Sequence, residues 1–230
     1  MGFTKKFAAA ILAAVTVALC APATAHADHT ITLTFVRHAE SQGNASGLID
    51  TSVPGPDLSP QGYQQAAAAA KDLSPNAYDG IYASTMVRTQ ETAAPLSQAL
   101  DESVSVLPGL REIEAGTYEG KPETEVQDYL AAPLQWVDGN RDARIPGSVD
   151  GNEFDARFDQ AVESIYDSGE LKPVAFSHSA AILLWVLMNT KNSDKSLLGE
   201  WLPNTGQAVV VGNPRKGWTL TEWDGHAVPQ

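Results

Sequence analysis

Segments with the alternation of a half-buried strand and segments with helical spacing follow one another along most of this chain. The strand-like segments are "ITLTF", "GIYAS", "SVSVL" and "KPVAF". Helical spacing follows each of them, in "SPQGYQQAAAAAKDL", Met86 to Leu100, "GNEFDARFDQAVESIYDS" and "AAILLWVLMN". This order predicts an α/β domain, a three-layer α/β/α sandwich with a largely parallel central sheet. "GQAVVVGNPRKGWTLTEW" predicts a closing hairpin with its turn at Asn213 to Gly217.

Two of the helical segments carry further signals. Ser59 is a good N-cap residue and Pro60 suits the first helical position, so the helix is expected to begin there. The segment that starts at Gly151 places its large apolar residues on one face, which is expected to pack against the sheet. These are Phe154, Phe158, Val162 and Ile165.

The N-terminus has the pattern of a signal peptide. Lys5 and Lys6 give a basic start, and an uncharged, mostly apolar run follows from Phe7 to Leu19. Ala25 and Ala27 then stand where a signal peptidase requires small residues. The apolar run is shorter than the ~20 residues that span a bilayer, so a retained anchor is the weaker alternative.

Cleavage after the signal defines the predicted organisation. Residues 1–27 are expected to be removed, and residues 28–230 form a single domain that is secreted or lies in the periplasm or cell envelope. Cys20 leaves with the signal, so no disulfide is expected in the exported chain. The mature protein is expected not to bind membranes.

The chain is strongly acidic. Its formal net charge is −13, and removal of Lys5 and Lys6 with the signal makes it −15, because −13 − 2 = −15. Such a surface repels nucleic acid and anionic membranes, so neither is an expected partner. An anionic substrate would need a local pocket of cationic side chains.

Chemically versatile residues stand at the ends of the predicted strands. Arg37 and His38 end the first strand segment, Ser84 ends the second, and Ser177 and His178 follow "KPVAF". Because ligands bind at the carboxyl ends of strands in sheets of this kind, these side chains are expected at one edge of the sheet.

Four separated segments resemble the histidine phosphatase superfamily, in its phosphoglycerate-mutase-like branch. They are "VRHAESQGN", "YASTMVRTQETA", "LREIEAGTYEG" and "VAFSHSA", in the order of that family. The resemblance extends from about residue 31 to residue 180. Ala39 and Ser179 depart from the pattern, since many members of the family have glycine at each place.

The resemblance implies a catalytic role for five residues and a phosphate-binding role for one more. His38 matches the histidine that becomes phosphorylated, and Arg37 and Arg88 match the arginines that clamp the phosphoryl oxygens. His178 matches the second histidine, which stabilises that group, and Asn44 matches a donor to phosphate. Planar guanidinium groups suit the three equatorial oxygens of a transferring phosphoryl group.

The proton donor is expected to be Glu112. The family places its acid four residues before the first glycine of a G-x-x-x-G stretch, which here is Gly116 to Gly120. Glu114 is the alternative, although in an extended segment it would face the opposite side.

The resemblance covers phosphatases and mutases, and together with the signal pattern it favours an exported, metal-independent phosphatase that hydrolyses phosphomonoesters through phosphohistidine on His38. The substrate is a small phosphorylated molecule, inorganic phosphate is product and inhibitor, and no cofactor or metal is expected. A phosphoglycerate mutase is the alternative, but Arg141 and Arg144 do not form the adjacent pair of mutases. A non-catalytic binding protein is a further alternative. Residues 45–57 and 120–150 are expected on the alcohol side, with Trp136 and these two arginines as candidate contacts, although a structural role is the favoured interpretation for each.

Overall fold

The computed structural model describes residues 1–2 and 28–229. Most of the predicted signal peptide, from residue 3 to residue 27 and including Cys20, therefore lies outside the described residues, as does residue 230. No helix within the described part of the chain has the length and apolar character needed to cross a membrane.

A central sheet of seven strands organises the domain. The strands in chain order are β1 (Ile31–Arg37), β2 (Gly80–Ala83), β3 (Val104–Val106), β4 (Pro173–Ser177), β5 (Gln207–Asn213), β6 (Gly217–Trp223) and β7 (His226–Ala227). Across the sheet their order is β3-β2-β4-β1-β5-β6-β7.

The sheet is mixed rather than uniformly parallel. β3, β2, β4 and β1 pair in parallel, as the alternation of strands and helices predicted. The closing hairpin β5–β6 turns at the predicted place and joins the sheet antiparallel to β1, and β7 extends it. A hairpin needs no crossover, so it adds strands of opposite direction at that edge.

Six α-helices surround the sheet in the described residues. They are α1 (Gln42–Ser46), α2 (Pro60–Leu73), α3 (Val87–Leu100), α4 (Val126–Val137), α5 (Gly151–Asp167) and α6 (Ser179–Asn189). The helix beginning at Pro60 has the predicted cap, because the Ser59 hydroxyl accepts a hydrogen bond from the backbone N–H of Gly62 at 3.0 Å. The short α1 and the two-residue β7 were not predicted.

The two faces of the sheet bury different clusters. One face packs against α4, α5 and α6. Phe35 of the sheet and Phe158 and Trp185 of the helices lie in the cluster between them and are fully buried. The other face packs against α2 and α3 through Val36 and Phe176. Side chains alternate between these clusters along β1, so the observed fold is the predicted α/β sandwich.

The N-terminal turn of α2 lies against the chain that follows β1. A Cβ atom added at Gly62 would stand 1.9 Å from the backbone oxygen of Glu40. The helix therefore approaches this loop at a distance that only glycine permits, and the approach fixes the loop that begins at His38.

Gly62→Ala is expected to lower the free energy of unfolding by about 1–3 kcal/mol, because the loop or the helix must shift to admit the methyl group. Gly199→Ala is the matched control, since a Cβ there has nothing within 4 Å. Urea denaturation of both variants measures the difference. Equal stability of the two variants would show that the contact does not constrain the fold.

Candidate active site

The parallel register of β1 and β4 brings two histidines together. Arg37 pairs with Ser177 at the ends of these strands, and the backbone N–H of His38 donates to the Ser177 carbonyl at 3.0 Å. His178 is the next residue and the N-cap of α6. The ring centroids of His38 and His178 are 5.0 Å apart, with 62° between their planes.

The hydrogen bonds of His38 define its protonation state. Its Nδ1 lies 2.6 Å from the carbonyl oxygen of Ala39, which accepts only, so Nδ1 carries the proton. Its Nε2 lies 3.2 Å from Nε of Arg88, which donates only, so Nε2 keeps its lone pair. Burial lowers the pKa of His38 well below the usual range, and the charge of Arg88 lowers it further. His38 is therefore a neutral imidazole whose unprotonated Nε2 accepts from Arg88.

Two arginines present unpaired N–H groups beside this histidine. Arg88 also donates to the Asp50 carbonyl at 3.1 Å, and Arg37 donates to the Leu202 carbonyl at 2.7 Å. Nη1 of Arg88 and Nε of Arg37 are buried and have no hydrogen-bond partner in the described part of the chain. Buried donors without partners are rare in proteins, so this end of the site suits an anion with several oxygens.

A directed chain of hydroxyl groups holds His178. The Thr89 hydroxyl donates to the Met86 carbonyl at 2.8 Å, so it accepts from the Ser84 hydroxyl at 2.9 Å. The Ser84 oxygen in turn accepts from Nε2–H of His178 at 3.0 Å. Nδ1 of His178 is left buried with no hydrogen-bond partner among residues 28–229. Burial lowers the pKa of His178 well below the usual range.

The structure separates the two candidate acids. Glu112 lines the same cavity as His38, and its Oε1 accepts from the backbone N–H of Ala181 at 2.9 Å, in the first turn of α6. Glu114 faces away and forms ion pairs with Arg111 and Arg157. Burial raises the pKa of Glu112, although bonds from backbone N–H groups and the charge of Arg88 oppose this.

Arg157 holds the loop that carries Glu112. Its guanidinium donates to the carbonyl oxygens of Gly109 at 3.0 Å, Arg111 at 2.9 Å and Glu112 at 3.3 Å. One side chain of α5 thereby satisfies three backbone acceptors in this loop, which fixes the position of the carboxyl group.

One cavity of about 330 Å³ contains most of the predicted site. Arg37, His38, Asn44, Arg88 and Glu112 line it, whereas His178 lies one layer deeper and is fully buried. The Asn44 side-chain oxygen accepts from the backbone N–H of Ser41 at 3.1 Å, which orients the amide.

Three candidate contacts on the alcohol side do not reach this cavity. Arg141 pairs with Asp155, Arg144 pairs with Asp150 and Glu153, and Trp136 is buried and donates to the Ala143 carbonyl. Each stabilises the segment around α4 and α5. These partners support the structural role that is the favoured interpretation for each of them.

Sequence reasoning missed several residues of the site. The cavity wall also contains Leu48, Asp50, Glu123, Tyr129 and Trp201. Some of these lie within the two ranges expected on the alcohol side, but no pattern distinguished them there. Trp201 lies outside both ranges and reaches the cavity only through the tertiary fold. Among the described residues, no group of three or more histidine, cysteine or acidic side chains is arranged to hold a metal ion.

Comparison with known proteins gives the family of this chain. The family model described as histidine phosphatase superfamily (branch 1) matches residues 33–225. The chain belongs to this superfamily.

Individual relatives extend the comparison. PE-PGRS family protein PE_PGRS11 of Mycobacterium tuberculosis is 42% identical over 214 residues, which cover 85% of this chain and 37% of that protein. A Serratia proteamaculans protein named "Probable phosphoglycerate mutase GpmB" is 32% identical, over 64% of this chain and 69% of its own length. The solved structure of a mycobacterial glucosyl-3-phosphoglycerate phosphatase with VO3 has a TM-score of 0.71 at 21% identity, covering 85% of this chain and all of that one. This structural similarity shows that the chain shares the fold of that phosphatase.

The two buried histidines predict how stability depends on pH. Because their pKa values are lowered in the folded protein, the unfolded chain binds more protons as pH falls through about 6.5. The free energy of unfolding is therefore expected to fall with decreasing pH, by at most about 1.4 kcal/mol per pH unit for each histidine. Glu112 acts in the opposite sense, because its raised pKa costs stability as pH rises above about 4.5.

Urea denaturation between about pH 7.5 and about pH 5.5 measures this slope. His38→Gln is expected to reduce it, and His226→Gln, at an exposed position, is the matched control that leaves it unchanged. The assignment of buried neutral histidines fails if His38→Gln has the slope of the unsubstituted protein.

Proposed function

We propose that this protein hydrolyses phosphomonoesters through a covalent phosphohistidine on His38. The observation that carries the proposal is the fixed neutral state of His38, with a lone pair on Nε2 beside unpaired arginine N–H groups. A buried imidazole in this state is a nucleophile next to a place that suits a phosphoryl group.

In the first step, the lone pair on Nε2 of His38 attacks phosphorus and the bond from phosphorus to the ester oxygen breaks. The Nδ1–H bond to the Ala39 carbonyl stabilises the positive charge that the ring acquires. Arg37, Arg88 and Asn44 hold the phosphoryl oxygens, whose charge they neutralise. Nδ1 of His178 is buried next to His38 without a hydrogen-bond partner among the described residues. A phosphomonoester that binds as its monoanion brings one proton, and Nδ1 can accept the hydrogen bond from that P–O–H group.

Glu112 supplies the proton that the departing alkoxide needs. Burial favours its protonated form, and its position on the cavity wall supports this role. In the second step the resulting carboxylate takes a proton from water, whose oxygen attacks phosphorus and breaks the bond to Nε2. Inorganic phosphate leaves, and both side chains return to their starting states.

The choice between phosphatase and mutase rests on the cations around the cavity. A mutase that acts on phosphoglycerate must also hold a carboxylate. Arg141 and Arg144, the candidates for that task, are occupied by acidic partners outside the cavity. A solved neighbour is named as a phosphatase and a relative as a mutase, so the names alone do not decide. The pairing of these arginines supports hydrolysis.

Two further parts of the proposal concern location and metals. Export stays a prediction of the sequence, because residues 3–27 lie outside the described part of the chain. Metal independence is proposed because the guanidinium groups of Arg37 and Arg88 are available to neutralise the charge of the phosphoryl oxygens.

His38→Ala is expected to abolish release of p-nitrophenol from p-nitrophenyl phosphate, because the nucleophile is lost. The unsubstituted protein is expected to be fully active in EDTA and to form an acid-labile phosphoprotein that is absent in the variant. His226→Ala, at an exposed position, is the control that keeps activity. Equal release by His38→Ala and the unsubstituted protein would favour the binding-protein alternative.

Glu112→Gln is expected to reduce kcat by roughly 10²-fold for an alkyl phosphate, whose leaving group needs a proton. The loss is expected to be smaller for p-nitrophenyl phosphate, because p-nitrophenolate leaves without one. Glu114→Gln is the matched control and should change kcat less than about threefold, since its partners lie outside the cavity. A larger loss in Glu114→Gln than in Glu112→Gln would reverse the assignment of the acid.

A further inference from the structure

The part of the cavity beyond the arginines has an apolar wall. Leu48, Ile49, Val126, Leu130 and Trp201 line it together. Three of these side chains are unusually exposed for large apolar groups, with exposed fractions of 42% for Leu48, 36% for Val126 and 39% for Trp201. Apolar side chains that gather around one cavity and remain open to solvent mark a surface that a ligand covers.

The charges in the same region are negative. Asp50 and Glu123 line the cavity, and neither carboxylate forms an ion pair with any described residue. Asp50 is oriented by the backbone N–H and the hydroxyl of Ser52, at 3.1 and 2.7 Å. Lys121, the nearest cation along the chain, is paired with Glu125 instead.

The cations on the cavity wall suffice for one anionic group. Among the described residues that line the cavity, Arg37 and Arg88 are the only lysine or arginine side chains. Arg88 lies against Nε2 of His38, and both arginines are needed at the phosphoryl group. A second acidic group on the substrate would therefore meet carboxylates and no free cation.

The wall is held in place before a ligand arrives. Gly120 donates to the Ile49 carbonyl at 2.8 Å, Ile49 donates to the Lys121 carbonyl at 2.8 Å, and Glu123 donates to the Gly47 carbonyl at 2.9 Å. These backbone bonds connect the loop that carries Leu48 to the segment that carries Glu123 and Val126. Because the two segments are joined, their charges and apolar groups keep fixed positions relative to the phosphate end.

We propose that the site selects monophosphate esters of apolar or aromatic alcohols that carry a cationic group, and rejects esters that carry a second acidic group. The apolar wall binds the body of the alcohol, and Asp50 and Glu123 attract its positive charge. This inference rests on the proposed phosphatase function, of which it names the substrate class.

Three aryl esters of similar size test the inference: 4-(aminomethyl)phenyl, 4-ethylphenyl and 4-(carboxymethyl)phenyl phosphate. A methylene group separates each substituent from the ring and weakens its effect on the acidity of the leaving phenol. The ammonium group still makes its phenol more acidic, and comparison with a site variant cancels this effect because the esters are the same. At low ionic strength, kcat/KM is expected to be roughly tenfold higher for the amine than for the acid, with the ethyl ester between them. Added salt should reduce this ratio.

Variants assign the selectivity to named residues. Glu123→Gln is expected to lower the amine-to-acid ratio about threefold, and Asp128→Asn, at an exposed acidic residue outside the cavity, is the matched control that keeps it. Trp201→Ala is expected to raise KM about fivefold for the ethyl ester. Leu134→Ala, at another exposed apolar residue, should leave this KM unchanged.

The outcomes separate this inference from the function on which it rests. Hydrolysis of all three esters with equal kcat/KM would overturn the substrate class and leave the phosphatase intact. No hydrolysis of any ester, or of p-nitrophenyl phosphate, would overturn the function. In that case, titration calorimetry with the three matching phosphonates reads the selectivity without turnover, and equal affinities would overturn it too.

Discussion

The hydrogen bond from the backbone of His38 to the Ser177 carbonyl fixes the register on which the site depends. β1 and β4 are neighbours in the sheet although about 140 residues separate them in the chain. Parallel pairing ends both strands at the same edge, so each delivers its next residue to the same place. A shift by one residue would turn one imidazole into the opposite face, because side chains alternate along a strand. The rigid core beneath, with Phe35 and Phe176, maintains this alignment.

Electrostatic balance explains why such a pocket is stable in an acidic protein. The half-buried Arg37 and the buried Arg88 lie beside two buried imidazoles, which remain neutral because burial and neighbouring positive charge disfavour protonation. Backbone carbonyls at Leu202 and Asp50 accept from the arginines and reduce the cost of burying them. The carboxylates of Glu123 and Asp50 add favourable negative charge near Arg37 and Arg88, respectively. Arg37 and Arg88 therefore give one end of the cavity a local positive charge, although the chain as a whole is acidic.

The sequence predicted correctly several features that depend on interactions between residues close together in the chain. The cap at Ser59, the apolar face of α5 and the hairpin turn all depend on residues close in the chain, and the structure has each of them. The sequence could also predict that His38 and His178 lie at one edge of the sheet, because the carboxyl ends of neighbouring parallel strands lie at the same edge. Trp201 and Arg157 could not be predicted, because their contacts depend on how loops fold over the sheet. The partners of Arg141 and Arg144 could not be predicted for the same reason, since nothing in their spacing revealed acidic residues on α5.

The contacts of Thr51 have a consequence for how the cavity responds to its contents. Its hydroxyl donates to the Glu119 carboxylate at 2.5 Å and accepts from the Ala115 backbone at 2.9 Å. Ala115 belongs to the segment that begins at Glu112, and Glu119 leads into the segment of Glu123. Thr51 therefore connects the segment that carries Glu123, at the entrance of the cavity, to the segment that carries Glu112. In the proposed mechanism, a substitution that loosens this contact would shift both the cavity entrance and the Glu112 carboxyl group, so molecular fit and proton transfer would change together.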